Sequence, residues 1–438
     1  MVGSNICVGG LRLKTNLKKL VMNPTNWIYL LLTYPIIDYA MRKFIPIGFI
    51  VSLWDEGVLT VLLLFTFAAY AKGHRTMPGI KHAFLAFLIF GLGLMFMDMT
   101  NFNASVEGFR AIFQYMVALL IGFYLIESKE QMQSFLKAFT LVGLFVALIG
   151  VMQVVLGVEV NSSWTGENES MKRRAFSIVT SPNVLGSYMI FTVPIAISLF
   201  LQGITKKQKL LWGLTSLIML VCLIATGSRG AWFALLAVLV IGSVFVNRKV
   251  FLSIVAVSIL GGVVLLAVPE TTPVIGKVQN RITTLFTEDY WEKSSQSGRV
   301  ARWTNAYHRM RLEPLFGAGP GHWGGAVGSR YFGTIYTDSY MFKTLAETGI
   351  IGLTLLITMM LAIVKYAAQA TLRWKNSPYF YTGLGLFCGF LAVFFHNFVE
   401  NIFEVPFMST FFWLLGGMVA ALATLDFRYA NRKIGSRS

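Results

Sequence analysis

Apolar residues in this chain come in long runs separated by short polar stretches. A helix that crosses the hydrocarbon of a bilayer needs about 20 mostly apolar residues. The runs at 26–45, 56–71, 82–98, 108–126, 134–157, 183–202, 209–226, 230–247, 250–268, 341–364, 379–399 and 405–425 predict twelve such spans. The first is the weakest, because it contains Pro35 and Asp38 and ends at Arg42-Lys43. Between the ninth and tenth runs the pattern turns hydrophilic. This divides the chain into an amino-terminal bundle of about nine spans (1–268), a long loop (269–338) and a carboxy-terminal bundle of about three spans (339–438). Within the loop, GRVARWTNAYHRMRL from Gly298 fits the helical period, with Val300, Trp303, Tyr307 and Met310 on one face and Arg299, Arg302 and Arg309 on the next. That predicts an amphipathic helix lying on the membrane surface, apolar side down, and ended by Pro314. The fold expected is an all-α polytopic membrane protein.

Composition agrees. Of 438 residues, 55% are hydrophobic and 13% charged, and the mean hydropathy is +0.65. A soluble protein carries about a quarter charged residues. The deficit excludes an ordinary cytoplasmic enzyme, a disordered chain and a DNA-binding domain, so no nucleic-acid partner is expected. Cys7 lies near the amino terminus, while Cys222 and Cys388 fall inside apolar runs, and there is no C-x-x-C pair. Neither a disulfide nor a metal-thiolate site is expected. The first 25 residues are polar and basic, and the apolar run after them is too long for a signal-peptide h-region, so no cleavable signal is expected either.

The net charge of +17 gains meaning once it is divided between the two sides of a membrane. With the amino terminus in the cytoplasm and the spans alternating, 21 of the 37 Lys and Arg residues fall on inside segments, at least two to each. The last outside loop holds Glu400 and Glu404 and no cation. The positive-inside rule therefore places both termini in the cytoplasm. The remaining 16 cations cluster mainly in three outer places: Lys172-Arg173-Arg174 before the sixth span, Arg229 in the turn between the seventh and eighth, and eight in the long loop, Arg281 and Lys293 among them. One reading is a basic surface solvated near anionic lipid. The convergence of three loops on one side points instead to a site for an anionic substrate.

Particular residues sharpen that. Thr226-Gly227-Ser228-Arg229-Gly230 turns tightly and sets a guanidinium and free N–H groups at a helix start, which suits a phosphate; the alternative is snorkelling to headgroups. Asn183 is a candidate cap for the sixth span, with Arg173 or Arg174 facing the outer cavity. Asp338 marks the return of the loop to the membrane, as a carboxylate that can take a proton or orient a sugar hydroxyl, or as a plain N-cap. The glycines of PLFGAGPGHW can bring backbone close to a ligand, although no strand precedes them as a nucleotide fingerprint needs. His396, Glu400 and Glu404 are spaced i, i+4, i+8, which reads as a polar stripe lining the cavity. No further ligands are identifiable for a metal there, and His308 and His322 have no partner at metal spacing, so no metal is expected.

Four stretches carry a family likeness: RRAFSIVTSPNVLGSY, ATGSRGAW, SGRVARWTNAYHRMRLEPLFGAGPGHW and DSYMFKTLAETGIIGL. In this order the chain resembles, over about 110–425, the bacterial O-antigen ligase and polymerase superfamily, the Wzy-like and WaaL-like membrane glycosyltransferases of GT-C type. The resemblance implies an enzyme of the bacterial inner membrane with an extracytoplasmic site. It takes a glycan linked through pyrophosphate to undecaprenol and transfers its reducing-end sugar to an acceptor glycan hydroxyl, with no metal or cofactor. Membrane lipid, a chain-length regulator and a flippase are the partners implied. By motif position Arg174, Arg229 and Arg299 are candidates for the pyrophosphate, with Arg302 in support and Arg173 beside them. The ligases re-enter the membrane with His-Asn, whereas this chain has Asp338-Ser339, which looks more like the exopolysaccharide and O-antigen polymerases. Asp338 is the first candidate base; His322, Glu347 and Glu400 are the alternatives, and His396 is a candidate substrate contact. The expected activity is a polymerase, with a ligase as its nearest rival. A transporter or flippase is the rival of another class, disfavoured because the two halves show no clear repeat and the cations gather at one surface rather than at mid-depth.

Overall fold

The computed structural model describes residues 21–73, 75–160, 173–267, 269 and 275–435, which are helical with no strand among them. Cys7, Lys172 and the basic residues before residue 21 lie outside the described residues. The first eight helices are α1 (Pro24–Leu32), α2 (Tyr34–Phe44), α3 (Gly48–Ala71), α4 (Ile80–Met97), α5 (Phe102–Leu125), α6 (Lys129–Val155), α7 (Pro182–Gln202) and α8 (Lys206–Thr226). They are followed by α9 (Arg229–Ser243), α10 (Arg248–Ala267), α11 (Ile275–Thr283), α12 (Glu288–Gln296), α13 (Arg299–Leu312) and α14 (Ala326–Phe332). The chain closes with α15 (Tyr340–Arg373), α16 (Phe380–His396) and α17 (Pro406–Gly435).

Nine of these helices, among the described residues, are long and apolar enough to cross a membrane. The other three predicted spans take different forms. The first breaks at Thr33 into α1 and α2, because Pro35 sits in the opening turn of α2 and has no N–H to continue a helix from α1. α9 and α16 are apolar but have 15 and 17 residues. At 1.5 Å per residue each is about 22–26 Å long, short of the ~30 Å hydrocarbon. α9 has one end at the cavity described below, where Arg229 opens it, and α16 closes at His396, four residues before Glu400.

The core is built around α17. Phe411, Phe412, Trp413, Leu414, Met418 and Val419 are 0–1% exposed. α5 packs against it at backbone distance: a methyl on Gly417 would strike the Leu119 carbonyl oxygen, and one on Gly122 would strike that of Leu414. Small residues of this kind let helices approach where lipid gives no hydrophobic drive to associate. At the other extreme Leu252, Val257, Leu260 and Val263 on α10 are all more than half exposed, as on a helix facing lipid. Cys222 and Cys388 are buried free thiols.

Two expectations for the long loop change. The amphipathic helix forms as α13, but its apolar side is packed on the start of α15. Ala306 and Met310 are buried and the Trp303 ring stacks on Phe342 at 5.5 Å and 8°, while Tyr307 is 46% exposed. The covered face is thus 303, 306 and 310, and a helix rather than lipid covers it. The glycines after Pro314 likewise meet protein. α15 is broken at Gly349 (φ 63, ψ −167), and the loop crosses at that break, with Ala318 N–H donating to Ala346 O and Gly319 N–H to Glu347 O, both at 2.8 Å. A side chain at Gly349 would collide with the Leu315 and Phe316 backbone.

Candidate active site

At one end of the bundle the segment entering α7, the α8–α9 turn, helices α11 to α13, the start of α15 and the α16–α17 turn enclose a cavity of about 980 Å³. Its walls follow from local sequence. Gly227 ends α8 in the left-handed conformation (φ 64), which costs glycine nothing, and Ser228 opens α9, so Arg229 projects from the first turn. Its guanidinium donates to Arg281 O at 3.1 Å and Thr284 Oγ1 at 3.3 Å, and lies 4.9 Å from the centre of the Tyr290 ring. The α7 cap is Ser181, whose hydroxyl accepts from Val184 N–H. Asn183, expected as the cap, instead lines the cavity, where its Oδ1 accepts from Arg174 at 2.9 Å. Arg174 also donates to Thr226 O at 2.7 Å and is 4% exposed, so two elements hold it in place.

The opposite wall carries Arg299 and Arg302, one helical turn apart at the start of α13. Arg302 pairs with Asp338 at 2.5 Å, and Arg299 lies 3.6 Å from Glu400. Asp338 has φ 52 and is not the helix cap; Ser339 is, accepting from Phe342 N–H. The start of α15 is tied to the α16–α17 turn, with Tyr340 N–H directed at Asn397 O and Glu400 O. That contact keeps Asp338 and Glu400 at the same cavity. The lining holds six cations, Arg174, Arg229, Arg281, Lys293, Arg299 and Arg302, against three carboxylates, Asp338, Glu400 and Glu404. A partly enclosed, cation-rich space with a few carboxylates suits an anionic group next to a hydroxyl that must lose a proton.

Burial pushes the Glu400 carboxyl up to about 7, with Arg299 opposing the rise and Asp338 adding to it. Burial also raises Glu404, against the pull of Lys343.

Six predicted site residues therefore meet here: Arg174, Arg229, Arg299, Arg302, Asp338 and Glu400. Four do not line the cavity. Arg173 is exposed, with its guanidinium beside Gly157. His396 is 1% exposed and its ring meets Ser187 Oγ at 3.0 Å. α16 stops at His396, so Glu400 and Glu404 do not continue its face, and the expected i, i+4, i+8 stripe is broken by a turn. Glu347 is fully buried, 2.5 Å from Lys343, and accepts the N–H groups of Gly321 and Trp323. His322 bonds Asp98 at 3.0 Å and stacks on Phe332. Hydrogen bonds from Asn101, joined by that from His322, hold the Asp98 carboxyl down at about 2. Among the described residues no three His, Cys, Asp or Glu side chains gather as metal ligands would.

Arg281 and Lys293, which the sequence offered only among the loop's cations, line the cavity from α11 and α12. Sequence reasoning missed Tyr290, Ser294 and Ser297, which with Lys293 form one wall along α12 and its carboxy-terminal cap. Their spacing of i, i+3, i+4 and i+7 was a usable signal, since it marks a single helix face.

No curated protein matches the chain. Residues 214–357 match the family model Wzy_C, described as O-antigen ligase. The matched segment contains three of the four motif stretches, together with Arg229, Arg281, Lys293, Arg299, Arg302 and Asp338. That match supports placing this all-α, multi-pass membrane chain in the O-antigen ligase and polymerase superfamily, whose activities are of the glycosyltransferase type.

Proposed function

We propose that the protein is a polysaccharide polymerase of the bacterial inner membrane. It transfers a growing glycan from undecaprenyl pyrophosphate to a sugar hydroxyl of the next lipid-linked repeat unit, at an extracytoplasmic site. The observation that carries this reading is the cavity in which Arg174, Arg229, Arg281, Arg299, Arg302 and Lys293 converge beside Asp338 and Glu400. Pyrophosphate leaves readily once its developing charge is held, and guanidinium forks hold phosphate oxygens in pairs. Fixed cations in a space drawn away from bulk water stabilise that charge more strongly than the same groups in water. The acidic residue at the loop's return, Asp338, supports polymerase over ligase by resemblance. The family model's description as an O-antigen ligase supports the second reading, transfer of a finished glycan to lipid A-core or another acceptor.

Purified protein given undecaprenyl-pyrophosphate repeat units alone separates the two. A polymerase makes a ladder of products. A ligase makes none until lipid A-core or another acceptor is added. Donor left unconsumed under both conditions would refute both readings.

A further inference from the structure

Transfer to a hydroxyl needs a group to take its proton, and the cavity holds three carboxylates that differ in what already engages them. Asp338 Oδ2 is 2.5 Å from an Arg302 nitrogen. A carboxylate paired so closely is already engaged, and its clearest effect is to hold the guanidinium. Glu404 is engaged twice, by Lys343 at 3.4 Å and by the N–H of Ala326. Glu400 is held by a neutral group instead, the side chain of Asn183. The Glu400 side chain is 15% exposed and lines the cavity. Its Oε2 accepts no hydrogen bond among the described residues, and Arg299, at 3.6 Å, is beyond hydrogen-bond range.

We propose that Glu400 is the general base that deprotonates the acceptor hydroxyl, and that Asp338 is a positioning residue that orients Arg302. The inference rests on the transferase reading above. In the step, the acceptor oxygen bonds to C1 of the donor sugar and its proton passes to Glu400. The C1–O bond to pyrophosphate breaks, and its electron pair leaves with the lipid pyrophosphate, whose charge the arginines hold. Glu400 returns its proton to water before the next transfer.

The surroundings of Glu400 support the assignment. Arg299 of α13, Asp338 before α15, and Arg174 and Asn183 at the entry to α7 all act on its carboxyl, and His396, at the end of α16, points away to Ser187. Burial outweighs the favourable contacts and raises the group to about 7, where a base is partly ionised and still strong enough to take a proton. The sign follows: the ionised, active form gains population as pH rises through about 7.

The test measures initial rates of the full-length protein with lipid-pyrophosphate glycan from about pH 5 to 9. Wild type climbs to a plateau with a midpoint near 7. Glu400→Gln lowers kcat by at least about a hundredfold and abolishes the acid limb, with donor binding kept as proof of folding. Formate partly restores Glu400→Ala. Asp338→Asn raises the donor KM but keeps the acid limb. If Glu400→Gln retains more than about a tenth of wild-type kcat, or if Asp338→Asn is the variant that loses the limb, the assignment is wrong while the transferase reading stands. If wild type never consumes the donor, the transferase reading fails and takes this assignment with it.

Discussion

Two arginine–carboxylate pairs stand in the cavity and are not equivalent: Arg302–Asp338 is close at 2.5 Å, and Arg299–Glu400 is open at 3.6 Å. The other cationic wall is built on backbone. Arg229 is held by the carbonyl of Arg281, and Arg281 itself faces the same space, so the two report on one feature. Arg229→Ala and Arg281→Ala should each lower turnover of lipid-pyrophosphate glycan by about a hundredfold, the usual loss when a group that stabilises transition-state charge is removed. Arg311, exposed on α13 away from the cavity, is the control. Arg311→Ala should stay within about twofold of wild type, as surface substitutions do. Steady-state kinetics decides it. Equal losses at Arg229 and Arg311 would mean that general basicity, and not contact in the cavity, drives the reaction.

Within elements, a charge cluster explains why Glu347, a candidate chosen from sequence, lies off the cavity. Lys343 is 4% exposed at its side chain and lies between Glu347 at 2.5 Å and Glu404 at 3.4 Å. Glu347 in turn clamps the Gly-rich loop through Gly321 and Trp323. A polar residue in an apolar neighbourhood gives the same sequence signal whether it serves chemistry or packing. The i, i+4 partner Lys343 was legible, but the loop N–H groups, more than twenty positions upstream, were not. The break at Gly349 was hidden for a similar reason, since the apolar run continues across it. The Gly227–Arg229 turn, by contrast, was readable, because its geometry is set by five adjacent residues. Lys343→Met leaves two buried carboxylates without their cation and should cost about 3–5 kcal/mol. Glu347→Gln, which leaves Lys343 paired with Glu404, should cost less. Thermal unfolding of the detergent-solubilised protein ranks them, and the reverse order would show that the loop clamp, and not the charge cluster, carries the stability.

Across the whole molecule the cations divide by the end of the bundle they occupy. The cavity end gathers six of them around one space. At the other end, Arg75 donates to the Phe123 and Ile126 carbonyls that close α5, and Arg373 donates to Ala423 O. Positive charge at a helix carboxy terminus satisfies carbonyls that have no intrahelical partner, so Arg75 fixes the end of α5, while Arg373 ties the last residue of α15 to α17. The turn between α7 and α8, with Lys206, Lys207 and Lys209, lies at this second end, because α7 starts at the cavity and runs away from it. Basic short loops favour the cytoplasmic side, and the proposed polymerase requires the cavity on the opposite one, where a flipped lipid-linked donor would meet it. In a cysteine-free background, Ser295→Cys on the exposed side of α12 should react with a membrane-impermeant maleimide in intact cells, and Lys207→Cys should react only after permeabilisation. The opposite labelling would put the cavity in the cytoplasm. The arginines would then face the cell interior, where nucleotide sugars rather than flipped lipid-linked glycans are the available donors, and the proposed polymerase would have to be abandoned.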